Sequence, residues 1–205
     1  MIGDRAFHSD PRVVAMLAAH LTHGLAMAGM ANCGKHYPGH GWAIADSHVA
    51  VPHDERSRAE LLARDAAPYR WLGPQLSAVM PAHVVYDRVD SAPAGFSRHW
   101  IELLRSELGF AGAVFSDDLL MAGASTQGPV VERAQAAIKA GCDLVLVCND
   151  VDAMDEVLAG LRWRRTTAFG ERVGRLVPRG GAPRMAELVE SELYRLARAD
   201  LALLV

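Results

Sequence analysis

Four short apolar runs recur along the chain, and each closes on polar residues able to do chemistry. A small-residue run around Met30–Cys33 closes on Gly34-Lys35-His36, and "LSAVM" (76–80) closes on Pro81-Ala82-His83. "GAVFS" (112–116) closes on Asp117-Asp118, and "DLVLVC" (143–148) on Asn149-Asp150. Apolar runs without alternation are the pattern of parallel strands covered on both faces. Helical stretches fit around them. Ser9-Asp10-Pro11 supplies a cap and a first-turn proline for a helix to about Gly29. Asp54 to about Leu72 reads as a second helix, and Ser97 to Leu108, closed by Gly109, as a third. Pro129 to Ala140, closed by Gly141, reads as a fourth.

Four strand-then-helix units in a row predict a parallel α/β sheet, either doubly wound or a barrel. No GxGxxG follows a strand, so a dinucleotide fold has no support. In parallel α/β folds the functional groups sit at the carboxyl ends of the strands. Lys35/His36, His83, Asp117/Asp118 and Asn149/Asp150 are therefore expected on one face. Beyond residue 160, "MAELVESELYRLARADLALL" (185–204) has helical spacing and predicts a terminal packing helix. The arginine-rich "WRRTTAFGERVGRLVPRGG" before it reads as a solvated helix face.

Composition narrows the function classes. The 205 residues suffice for one substantial core. A net charge of -3 and a pI of about 6.3 provide no field for nucleic acid or membrane lipid. No apolar run approaches a membrane span, and "MIGDRAFHSDPR" has no leader pattern. Cys33, Cys142 and Cys148 share no CxxC spacing and read as reduced thiols, which predicts a cytoplasmic protein.

The densest chemistry lies in "GKHYPGHGWAIADSHV" (34–49). His36 and His40 are spaced i, i+4, but Pro38, Gly39 and Gly41 prevent a regular helix from presenting both, and HExxH is absent. No metal is expected. His8, His20, His23, His53 and His99 read as ordinary structural or surface histidines. In Asp46-Ser47-His48 the carboxylate can bend back to the imidazole Nδ1–H, fixing the tautomer and stabilising the protonated ring. Flanking glycines leave that segment free to close over a ligand. Asp117-Asp118 sits at a strand end, where one carboxylate can face a site while the other braces the wall. An anionic nucleophile plus a group titrating near neutrality is what glycosyl transfer requires.

"GKHYPGHG", "ADSH", "VMPAHV" and "GAVFSDDLLMAGA", in this order, resemble the bacterial β-N-acetylhexosaminidases of glycoside hydrolase family 3, cytosolic enzymes of peptidoglycan recycling. "IGDRAFHSDP" and "AGCDLVLVCND" are similar to that family as well. The resemblance implies Asp117 as nucleophile, His48 as acid/base and Asp46 as its partner. It implies Arg5, Lys35 and His36 as sugar contacts. Tyr37 stands where phenylalanine is usual, and Leu120 where a small polar residue is common. The implied substrate is N-acetylglucosamine β-1,4-linked to 1,6-anhydro-N-acetylmuramic acid, with or without a peptide, and no cofactor is implied.

The resemblance also implies a (β/α)8 TIM barrel, of which residues 1–205 would hold the C-terminal half as a single domain, with 152–205 forming helices packed on the barrel. The expectation is a truncated product that needs its missing half, forms a homodimer through open sheet edges, or is inactive. The rival readings are a catalytically silent half barrel that binds sugar or a partner, a substrate-assisted glycosidase, and a zinc hydrolase.

Overall fold

The computed structural model describes residues 2–203. Its centre is a four-stranded parallel sheet, β1 (Cys33–Tyr37), β3 (Ala78–Pro81), β6 (Ala113–Asp118) and β7 (Leu144–Leu146), in the order β1-β3-β6-β7. Cys33 pairs with Ala78 and Ala78 with Ala113, so the first three strands run in step, while Asp118 pairs with Leu146 across a register shift. A smaller sheet joins β2 (His53–Asp54), β4 (Val85–Tyr86) and β5 (Asp90–Pro93) in the order β2-β4-β5. It has no counterpart among the apolar runs, because its strands are only two to four residues long.

Helix α1 (Pro11–Met27) begins as its sequence dictates: the Asp10 side chain accepts from the Arg12 N–H at 2.9 Å, with proline in the first turn. The predicted helix from Asp54 to Leu72 is instead two, α2 (Arg58–Ala63) and α3 (Ala67–Leu72). Ser57 and Glu60 form a capping box on the first, and Pro68 sits in the opening turn of the second, where its missing N–H costs nothing. Helix α4 (Arg98–Ser106) is capped by Ser97 and buries Trp100, Ile101, Leu103 and Leu104. Helix α5 (Val130–Ala140) ends at Gly141, whose φ of +118° and contact with Ile101 both exclude a side chain.

The core lies between the sheet and these helices. Tyr37, Tyr86 and Trp100 are fully buried and meet edge to face, with ring centroids 5.9 Å (Tyr37–Trp100) and 5.0 Å (Tyr86–Trp100) apart. Removing the Trp100 side chain would cost about 3–5 kcal/mol. Helix α6 (Val151–Gly160), capped by Asp150, packs on α5 through Ala153 and Val157. Helix α7 (Thr167–Gly174) sends Arg172 to Asp143, at the amino end of β7. The expected single terminal helix is two, α8 (Met185–Glu190) and α9 (Glu192–Ala202), divided at Ser191, which caps the second. Neither buries a residue, so Leu193, Leu196 and Leu201 remain exposed. No described helix is long and apolar enough to cross a membrane.

Candidate active site

All four strands of the main sheet run the same way, so their carboxyl ends share one side, and the site is built there. Asp117 is the penultimate residue of β6 and is 8% exposed. Its Oδ1 accepts the Asp118 N–H at 2.9 Å. Its Oδ2 lies 3.7 Å from Nε2 of His36 on the next strand but one, too far for a direct hydrogen bond. Lys35 and His36 lie inside β1 rather than beyond it, which corrects the sequence expectation that the strand stops before them. Burial beside Lys35, His40 and Arg5 pushes the His36 imidazole down to about 4, against the pull of Asp117. His36 is therefore neutral at physiological pH and offers one donor and one acceptor. Arg5 is exposed on a short turn, Gly3–Arg5, near enough that its charge is felt at His36.

Asp118 faces the wall. Its Oδ1 accepts the N–H groups of Leu120 and Cys148, each at 3.1 Å, and so ties β6 to the residues after β7. Behind it, His83 is fully buried, stacked on Phe96 with ring centroids 5.1 Å apart. His83 Nε2 donates to the Asp118 carbonyl at 3.1 Å, and burial holds the ring neutral. Asp150 is spent as the cap of α6.

Asp46 and His48 form the pair anticipated from their spacing. Asp46 Oδ1 accepts the His48 backbone N–H at 2.9 Å and stands 2.8 Å from His48 Nδ1. A carboxylate only accepts, so the Nδ1 proton faces Asp46 and Nε2 faces outward. The hydrogen bonds from His48 hold the Asp46 carboxyl below its ordinary range. Both side chains are solvent-accessible, and among the described residues no hydrogen bond or ion pair joins His48 to Asp117. The two halves of the candidate machinery thus stand as separate pairs, His36–Asp117 and Asp46–His48.

Two features escaped sequence reasoning. His40 is 5% exposed, stands edge-on to His36 with ring centroids 5.8 Å apart, and has no hydrogen-bond partner on either ring nitrogen among the described residues. Its burial lowers its proton affinity and keeps it neutral. The loop that carries it rests on a buried ion-pair bridge. Arg56 donates to Asp54 at 2.7 Å and to Asp65 at 2.6 Å. A side chain on Gly39 would overlap the Asp65 Cβ, and the Tyr86 hydroxyl donates to the Gly39 carbonyl at 2.6 Å. The break between α2 and α3 leaves Asp65 free to reach Arg56. Among the described residues, no cluster of three or more histidine, cysteine or acidic side chains could hold a metal ion.

Residues 1–176 match the N-terminal domain of glycosyl hydrolase family 3. The chain belongs to that family. Its family 3 relatives include a β-hexosaminidase of Bordetella avium, 56% identical over 97% of this chain and 57% of the relative. Among solved structures it is similar to NagZ from Neisseria gonorrhoeae in complex with N-trifluoroacetyl-D-glucosamine, at 44% identity and a TM-score of 0.87 over 98% of this chain and 59% of that one. It is also similar to a family 3 β-N-acetylglucosaminidase from Paenibacillus, at 36% identity and a TM-score of 0.78 over 85% of this chain and 35% of that one. The chain spans a little over half the length of the curated relatives it matches.

Proposed function

We propose that this family 3 chain forms half of a (β/α)8 β-N-acetylhexosaminidase that removes β-linked N-acetylglucosamine from anhydro-muropeptides in the cytoplasm. The observation that carries this reading is Asp117: a buried carboxylate at a strand end, one oxygen tied to a backbone N–H and the other 3.7 Å from the nitrogen of a neutral histidine. In the first step Asp117 attacks the anomeric carbon while His48 Nε2 protonates the departing oxygen, and Asp46 stabilises the imidazolium. In the second, the now neutral His48 takes a proton from water, which displaces Asp117 and releases the sugar with its β configuration retained. Lys35, His36 and Arg5 hold the sugar hydroxyls. No step requires a metal.

Turnover of 4-methylumbelliferyl N-acetylglucosaminide tests the activity. Trapping with an activated 2-fluoro glycoside tests the roles: an adduct on Asp117 supports the assignment. An adduct elsewhere, or none, argues against it; none is the outcome that leaves room for substrate assistance. The exposure of the Asp46–His48 pair and the chain's partial span favour one alternative, a silent sugar-binding half barrel. Binding of N-acetylglucosamine without turnover would establish it. Sedimentation of the active and inactive species would show whether two copies join their free sheet edges.

A further inference from the structure

The loop from Gly41 to Val51 is anchored at its start, where Ala43 is buried in the core and the Trp42 ring lies under the Arg56 guanidinium, but the part that carries Asp46 and His48 has few hydrogen bonds to the rest of the protein. Its own turn is local, with the Val49 and Ala50 N–H groups donating to the Asp46 carbonyl. Among the described residues, a single hydrogen bond ties it elsewhere: the Gly123 N–H donates to the Ser47 carbonyl at 2.8 Å. Ser47 is 2% exposed, while its neighbour His48 is exposed. Gly123 lies in the 3-10 turn that follows β6, the strand of Asp117. A Cβ there would lie 2.8 Å from the His83 Cβ, 3.0 Å from the His83 carbonyl oxygen and 3.3 Å from the Ser47 Cβ. The first separation is too short and the other two are tight, and His83 cannot readily retreat, because it is stacked on Phe96 and bonded to the Asp118 carbonyl. Glycine is required here for space, since a side chain would overlap His83 and press on Ser47 of the loop.

We propose that Gly123 is a positioning residue: it seats the loop bearing Asp46 and His48 on the strand end bearing Asp117. The role of the seated histidine as an acid rests on the hydrolase reading above, whereas the latch itself does not. Because His83 supports both the Asp118 peptide and Gly123, the latch is continuous with the wall beside Asp117. Seating therefore fixes the acid/base pair relative to the carboxylate without any side chain passing between them.

Hydrogen exchange on the full chain, wild type against Gly123→Ala and Ser47→Leu, tests this. Ser47→Leu changes only the loop side of the contact and so keeps the test usable where Gly123→Ala disturbs folding. In the wild type the Gly123 amide and residues 46–50 are expected to be protected. In either variant their exchange should rise at least about tenfold, while amides of β3 and β6 hold their rates. Unchanged exchange in both variants, or a wild-type loop that already exchanges freely, overturns the proposal. Leaving-group dependence supplies the second readout. Both variants should lose about a hundredfold or more in kcat/KM on alkyl N-acetylglucosaminides, which need an acid, and far less on the dinitrophenyl glycoside, which does not. Equal loss on both substrates contradicts the positioning role. If exchange responds as expected but the wild type turns over neither glycoside, the latch stands and the reading of this chain by itself as a hydrolase falls.

Discussion

Asp117 Oδ2 and His36 Nε2 face each other across 3.7 Å, each side chain largely buried and neither hydrogen-bonded to the other. That spacing leaves Asp117 Oδ2 without a direct hydrogen bond to His36 rather than consumed by a tight ion pair. If Asp117 is the nucleophile, Asp117→Asn should lower kcat on an aryl N-acetylglucosaminide by about three orders of magnitude or more, with little change in melting temperature. Steady-state kinetics beside thermal unfolding checks both halves of the statement.

His48→Ala and Asp46→Asn should separate by leaving group. Poor leaving groups need the proton, so kcat/KM on them should fall about a hundred- to ten-thousandfold in His48→Ala. Asp46→Asn should fall less, since an amide still orients the ring but cannot stabilise its charge. Exogenous azide should restore part of the His48→Ala rate on an activated substrate and yield a β-glycosyl azide, which mass spectrometry would detect.

Acid should destabilise the fold before its carboxylates titrate. His36, His40 and His83 all hold protons less tightly when folded than in the unfolded chain, because burial disfavours their charged forms. Between the ordinary histidine value of 6.5 and about 4 for His36, the unfolded chain binds more protons, so stability is full above this window and is lost as pH falls through it. Urea midpoints measured from pH 7 to pH 4 should decline accordingly. In His40→Phe the decline should be shallower and the neutral-pH midpoint equal or higher, since an unpaired buried imidazole is exchanged for an apolar ring.

Arg56→Met should destabilise by about 3–5 kcal/mol, because it leaves Asp54 and Asp65 buried without their cation. The triple change with Asp54→Asn and Asp65→Asn should recover much of that loss, and urea unfolding of the series would read it.

Much of the site was visible in sequence because its parts are local. Asp46 and His48 are two residues apart and satisfy each other within one turn. The apolar run before Asp117-Asp118 is a strand, although the strand extends to include both aspartates. β1 was misjudged in extent because it is an edge strand whose burial alternates, so its signal is alternation from Cys33 to Tyr37 rather than an apolar run. The break near Asp65 had a visible cue in Pro68, outweighed by the helical spacing on either side. Contacts distant in sequence left no trace. Nothing near Gly123 announces Ser47, and nothing near His40 announces that its nitrogens stay unpaired.

β1 and β7 stand at the two margins of the main sheet, each with no strand on its outer side among the described residues. Amide and carbonyl groups exposed along such a margin are a template for any extended segment that drifts past. Colloidal behaviour, more than unfolding temperature, should therefore limit how concentrated this polypeptide can be kept in isolation. Additives that compete for backbone groups should extend its shelf life more than those that tighten the interior.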